Sequence, residues 1–91
     1  MIWIDVEENP TTSCGWTGHS SASNCQFLID MSNAIKAHGK VPGIYASKHE
    51  WTVVLGSATT CPQLAGVVPS LWYPHYDNKE TFSDFSHFGG W

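Results

Sequence analysis

The chain has 91 residues, room for one small domain at most, and sets eight acids against four lysines with no arginine. Phosphate-binding surfaces rely on arginine forks and basic stripes, so this balance argues against nucleic acid as a partner. No stretch approaches the roughly 20 apolar residues of a membrane span, and no secretory signal is expected within these residues, because the first segment reads as a strand ending in acids.

That first strand, Ile2-Trp3-Ile4-Asp5-Val6-Glu7, is the most informative piece. Side chains alternate faces along a strand, so Asp5 and Glu7 point the same way, with Cα atoms roughly 6.5 Å apart. Two carboxylates at that range repel, and one pKa rises until the group can hold a proton near neutral pH. A protonated acid beside an ionised one is what hydrolysis of a glycosidic bond requires. The competing reading is a surface-facing acid pair at a strand end.

Residues 8–23 are rich in turn and breaker residues and read as a loop. From Asn24 the pattern becomes helical. Phe27, Leu28, Met31, Ala34, Ile35 and His38 recur at helical spacing and define one apolar face. Ser23 or Asn24 is placed to cap its start, and Gly39 to close its end in a left-handed turn. Val41-Pro42-Gly43-Ile44-Tyr45 follows as a short strand, then a short helix over His49–Gly56 with Trp51, Val54 and Leu55 on one side. Residues 57–70 form a mixed loop. Leu71-Trp72-Tyr73-Pro74-His75-Tyr76 reads as a third strand ending at Asp77, and an aromatic tail closes on Gly89-Gly90-Trp91.

Strands alternating with helices predict an α/β fold with a parallel sheet. All three strands carry their polar or aromatic residues at the carboxyl end, where α/β barrels and open α/β sheets place active sites. Three strands and two helices are too few to close a barrel, and both outer strands would keep unpaired edges. The expectation is an interior slice of a larger domain.

Cys14, Cys25 and Cys61 fit no zinc spacing. Cys14 and Cys25 flank a polar loop and are placed to pair, which would leave Cys61 over. Three free, buried thiols in a reducing compartment is the alternative. His75 and Asp77 with Asp5 and Glu7 sketch an oxygen-and-imidazole ligand set, but without an HxxxH or a cysteine cluster no metal is expected.

The strings Trp3-Ile4-Asp5-Val6-Glu7, Gly43-Ile44-Tyr45-Ala46-Ser47 with Trp51, Leu71-Trp72-Tyr73-Pro74-His75-Tyr76-Asp77, Phe82-Ser83-Asp84-Phe85 and Phe88-Gly89-Gly90-Trp91 occur in order along the whole chain. Together they closely resemble glycoside hydrolase family 25, the Chalaropsis-type lysozymes, nearest the cysteine-bearing eukaryotic members. The resemblance implies that residues 1–91 are part of a family 25 catalytic domain, an irregular TIM-like β/α barrel, with N-terminal strands and the C-terminal end outside them. A partner for Cys61 in that absent C-terminal part is one further expectation.

The implied activity is a muramidase that cleaves the β-1,4 bond between N-acetylmuramic acid and N-acetylglucosamine in peptidoglycan. By the same resemblance Glu7 is the proton donor and Asp5 the second active-site carboxylate, with Tyr45, Trp72, Tyr76 and Asp77 binding substrate. Trp72 and Tyr76 share strand parity, so both can face the barrel interior; plain core packing is the alternative for the rings. No cofactor is implied. The expected partners are bacterial glycan strands, with no nucleic acid and no membrane, and the protein is expected to be a secreted or phagosomal/lysosomal monomer. Two other readings stand beside the enzyme: a non-catalytic glycan-binding module, and an inactive truncated product.

Overall fold

A computed structural model describes residues 1–9, 11 and 15–91. Its elements run β1 (Ile2–Asp5), α1 (Ser21–Ala37), β2 (Pro42–Tyr45), α2 (Lys48–Leu55), α3 (Leu64–Val67) and β3 (Leu71–Trp72). The three strands form one sheet in the order β1-β2-β3, and both pairings are parallel. The expected α/β mix with parallel strands is what the chain adopts. Asp5 pairs with Tyr45, and Tyr45 with Trp72, so the ends of all three strands sit side by side. The Val6 amide donates to the Tyr45 carbonyl at 2.9 Å, which carries the pairing past β1 towards Glu7.

One face of the sheet is sealed. Ile4, Val6, Ile44 and Ala46 are buried there in a single apolar core with Leu28 of α1, Trp51 and Leu55 of α2, Leu64 of α3, and Val68. Helix α1 packs against α2, α3 and β2. The other face carries Trp3, Asp5 and Glu7 on β1 and just beyond it, all exposed. Period-two alternation thus separates a packing face from a face open to solvent.

Helix α1 starts earlier than Ser23 or Asn24. Its cap is Ser20, whose hydroxyl accepts from the Ser23 amide at 3.1 Å. Its buried stripe is Asn24, Cys25, Leu28 and Ser32, while Phe27, Ala34 and His38 face solvent and Met31 and Ile35 flank the core. The apolar face read from spacing is therefore rotated, because polar residues with internal partners occupy the core positions. Asn24 Nδ2 donates to the Val54 carbonyl at the end of α2 (2.9 Å), and Ser32 Oγ donates to Leu28 O (2.7 Å). Gly39 closes the helix with φ +71°, its amide donating to Lys36 O at 2.9 Å.

The cysteine expectation is corrected. Cys25 is bonded to Cys61, with Cα atoms 5.6 Å apart across 36 positions of sequence, so it is not paired with Cys14, and Cys61 needs no partner outside the chain. Cys14 lies outside the described residues. Because Cys25 faces inward from α1, the loop between α2 and α3 lies within disulfide reach of it.

Strand β3 is shorter than expected. It pairs only over Leu71 and Trp72, and Pro74 lacks the amide a longer ladder would use. The segment 57–70 is not all loop, since α3 lies inside it. Beyond it, Phe88-Gly89-Gly90-Trp91 folds back over α2. The Gly89 amide donates to Ala58 O at 2.8 Å, Trp91 Nε1 to Val68 O at 3.1 Å, and the Trp91 ring meets Trp51 edge-on at 5.3 Å.

Gly43 marks a close approach on the open face. A Cβ there would stand 2.5 Å from the six-membered ring of Trp3, its partner across the ladder. Gly43→Ala is expected to destabilise the chain by about 1–3 kcal/mol, the usual range for overpacking, and to change the near-ultraviolet circular dichroism of the tryptophans. Urea denaturation checks the first, and an unchanged midpoint would mean that Trp3 swings aside freely.

Candidate active site

The site is assembled at the carboxyl ends of the strands. Glu7 is held above the usual carboxylate range, first by the charge of Asp5, then by slight desolvation, by side-chain hydrogen bonding with Asp5 and by the more distant charge of Glu50. Asp5 and Glu7 are both exposed on the open face of the sheet, as strand parity predicts.

Around them stand the rings. Trp72 lies edge-on to Tyr45 at 5.2 Å and to Trp3 at 5.6 Å. The hydroxyls of Tyr45 and Tyr76 are 3.4 Å apart. Tyr45 is pushed up to about 12, first by hydrogen bonding with Tyr76, then by desolvation and the Tyr76 charge, with Glu7 and Asp5 adding to the shift. A phenol that feels both carboxylates is their neighbour, so Asp5, Glu7, Tyr45, Trp72 and Tyr76 share one surface. Trp72 is 55% exposed and Tyr76 91%, while Tyr45 is half-buried.

Asp77 belongs to a different group. Its carboxyl is lowered first by hydrogen bonding with Asp84 and then by the Lys79 amide, with burial opposing them and His75 adding a lesser lowering. Among the described residues, the metal-ligating side chains that converge are His75, Asp77 and Asp84, not His75 and Asp77 with Asp5 and Glu7.

Two residues at the site carry no role in the sequence reading. Ser47-Lys48-His49-Glu50 has the pattern of a capping box, and Ser47 Oγ does accept from the Glu50 amide at 3.1 Å. The Glu50 carboxylate, however, accepts from the amide of Glu8 at 2.7 Å and so ties α2 to the strand end that bears Glu7. Trp16 Nε1 donates to the Glu7 carbonyl at 3.0 Å and packs edge-on against Phe27, which fastens the loop before α1 to the same strand end. A cleft of about 550 Å³ opens here, bordered by Glu7, Asn9, Trp16, His19 and Phe27. The capping-box spacing was the only available signal for Glu50; nothing in the sequence marked Trp16.

Because Asp5 is the largest influence on Glu7, Asp5→Asn is expected to lower the Glu7 pKa towards the ordinary glutamate value. Glu50→Gln should lower it by less. Carbon-detected NMR titration of the Glu7 carboxyl reads both; a midpoint that ignores Asp5→Asn would trace the shift to burial instead.

The family model described as lysozyme-like protein 1 matches residues 1–91. Among curated proteins the chain is similar to two from Dictyostelium discoideum named probable GH family 25 lysozymes. Number 4 is 34% identical and number 2 is 36% identical, each over 91 residues, all of this chain and 38% of the relative. Counting factor 50 of the same organism is 33% identical over all of this chain and 27% of its own length. The chain thus spans well under half the length of the relatives it matches. No solved structure matches it. Matched along its whole length by that family's model, the chain belongs to the lysozyme-like family, as its resemblance to glycoside hydrolase family 25 lysozymes implies.

Proposed function

We propose that this chain carries the acid pair and the sugar-binding wall of a muramidase acting on bacterial peptidoglycan. The observation that carries the reading is the raised Glu7 carboxyl beside Asp5, on a sheet face whose other occupants are exposed rings. Glu7 donates the proton to the leaving glycosidic oxygen, and an acid that holds its proton to higher pH suits that task. Asp5 is the second carboxylate, and its charge raises the Glu7 pKa. Tyr45, Trp72 and Tyr76 offer apolar ring faces to the sugars, and Asp77, next to Tyr76 in the chain, is a further sugar contact by family resemblance. The bond cleaved is the β-1,4 link from N-acetylmuramic acid to N-acetylglucosamine.

In the complete protein the open sheet face forms part of the inner wall of an irregular β/α barrel. Residues 1–91 supply three adjacent strands of it. A disulfide between Cys25 and Cys61 suits a secreted or lysosomal setting. Among the described residues no helix is long and apolar enough to cross a membrane. Sequencing the coding frame beyond both ends tests the partial-domain reading; stop codons bounding it on both sides would count against it.

A second reading is glycan binding without hydrolysis, which the exposed rings of Trp72 and Tyr76 would serve as well. Digestion of purified peptidoglycan by a complete domain carrying this segment separates the two. New reducing ends that mass spectrometry assigns to N-acetylmuramic acid support the muramidase. Retention on the glycan with no new reducing ends supports the binding module. Trp72→Ala is expected to weaken glycan binding by about 1–3 kcal/mol, the contribution of a stacked ring, while shifting the unfolding midpoint little. Unfolding with undiminished binding by the native fraction would return Trp72 to the core.

A further inference from the structure

The loop after β3 gathers a cluster of which the proposed glycan site uses only Asp77. His75 Nδ1 lies 3.2 Å from Asp84 Oδ2 and 3.7 Å from Asp77 Oδ2. One ligand atom from each of the three lies within 4.8 Å of the others. A charge-assisted hydrogen bond from imidazolium to carboxylate closes to about 2.7–2.9 Å, and both separations are longer. They bracket another length. With metal–nitrogen and metal–oxygen bonds near 2.0–2.1 Å, two ligand atoms on the edge of a tetrahedron stand about 3.3 Å apart.

The surroundings agree with a cation between them. The three side chains border a hollow of about 350 Å³ that Glu80 also lines. Lys79 lines the hollow as well, but among the described residues His75 is the only basic side chain within ion-pair distance of either aspartate, so no lysine pairs directly with the two carboxylates. An imidazole in the set points away from calcium and magnesium, which take oxygen ligands, and towards zinc.

We propose that His75, Asp77 and Asp84 form a zinc site, with one imidazole and two carboxylate ligands and a fourth position open to water. The site fixes the loop on either side of Tyr76, whose hydroxyl is the one that reaches Tyr45. It shares Asp77 with the proposed glycan wall, and its test reads zinc binding rather than hydrolysis.

The test uses the whole chain and zinc chloride, with binding rather than catalysis as the readout. Calorimetry should find one zinc per chain. Asp84→Asn and His75→Gln should each weaken it by at least ~10-fold, with near-ultraviolet circular dichroism reporting whether each variant stays folded. In nitrogen NMR of the unaltered chain, zinc should move the Nδ1 resonance of His75 rather than those of the other four histidines. That measurement decides the matter even if a variant fails to fold. No binding by the native chain, equal binding by folded variants, a shift at another histidine, or a preference for calcium over zinc would each overturn the site.

Discussion

In a complete domain carrying this segment, Glu7→Gln is expected to lower cell-wall hydrolysis by ~10²–10⁴-fold or more, the usual contribution of a general acid. The amide matches the carboxyl in shape but has no proton to give to the leaving oxygen. Glycan binding should persist, because the rings of Tyr45, Trp72 and Tyr76 are untouched, so the loss should fall on kcat rather than on KM. Two controls sharpen the reading. Asp5→Asn should also abolish turnover while drawing the Glu7 pKa down. Glu50→Gln should leave turnover largely intact, because that carboxylate acts on Glu7 only from a distance, although its hold on the Glu8 amide is lost. A Glu7→Gln domain that clears walls at the native rate would place the proton donor elsewhere.

The second large effect concerns stability. Breaking the link between Cys25 and Cys61 frees a loop of 36 sequence positions in the unfolded chain, which on the chain-entropy account removes about 4 kcal/mol of stability. Small domains hold only about 5–15 kcal/mol in total, and here one sheet face has no cover. The Cys25→Ala, Cys61→Ala double variant is therefore expected to be largely unfolded at 37 °C. Urea denaturation of the native chain with and without reductant, in a Cys14→Ser background to prevent reshuffling, measures the loss. Coincident midpoints would show that this link does not form in solution.

What the sequence disclosed depended on how each feature is encoded. The acid pair was legible because a strand has a period of two, and two acids two apart must share a face. The left-handed closure at Gly39 was legible because glycine alone takes that conformation at no cost, whereas Gly56 was read into the helix that it in fact ends. The buried stripe of α1 was not, since Asn24 and Ser32 look like surface residues until Val54 O and Leu28 O are in place to satisfy them. The extent of β3 was overread because an apolar, aromatic run reads as strand whether or not a neighbour pairs with it. The partner of Cys25 was invisible for a related reason: spacing along the chain says little about a contact made through the tertiary fold. Gathering Asp77 with Asp84, rather than with Asp5 and Glu7, required the turn beyond Tyr76, which no periodicity describes.

The two-sided character of the sheet has a consequence for how the chain tolerates change. Along β1, Ile4 and Val6 are locked into the helix layer while Trp3, Asp5 and Glu7 look outward. A saturation scan scored for folding should therefore read as a comb, intolerant at positions 4 and 6 and permissive at 5 and 7. Selection acting on the outward teeth can then rewrite the chemistry at the strand ends without first having to repair the scaffold that presents it.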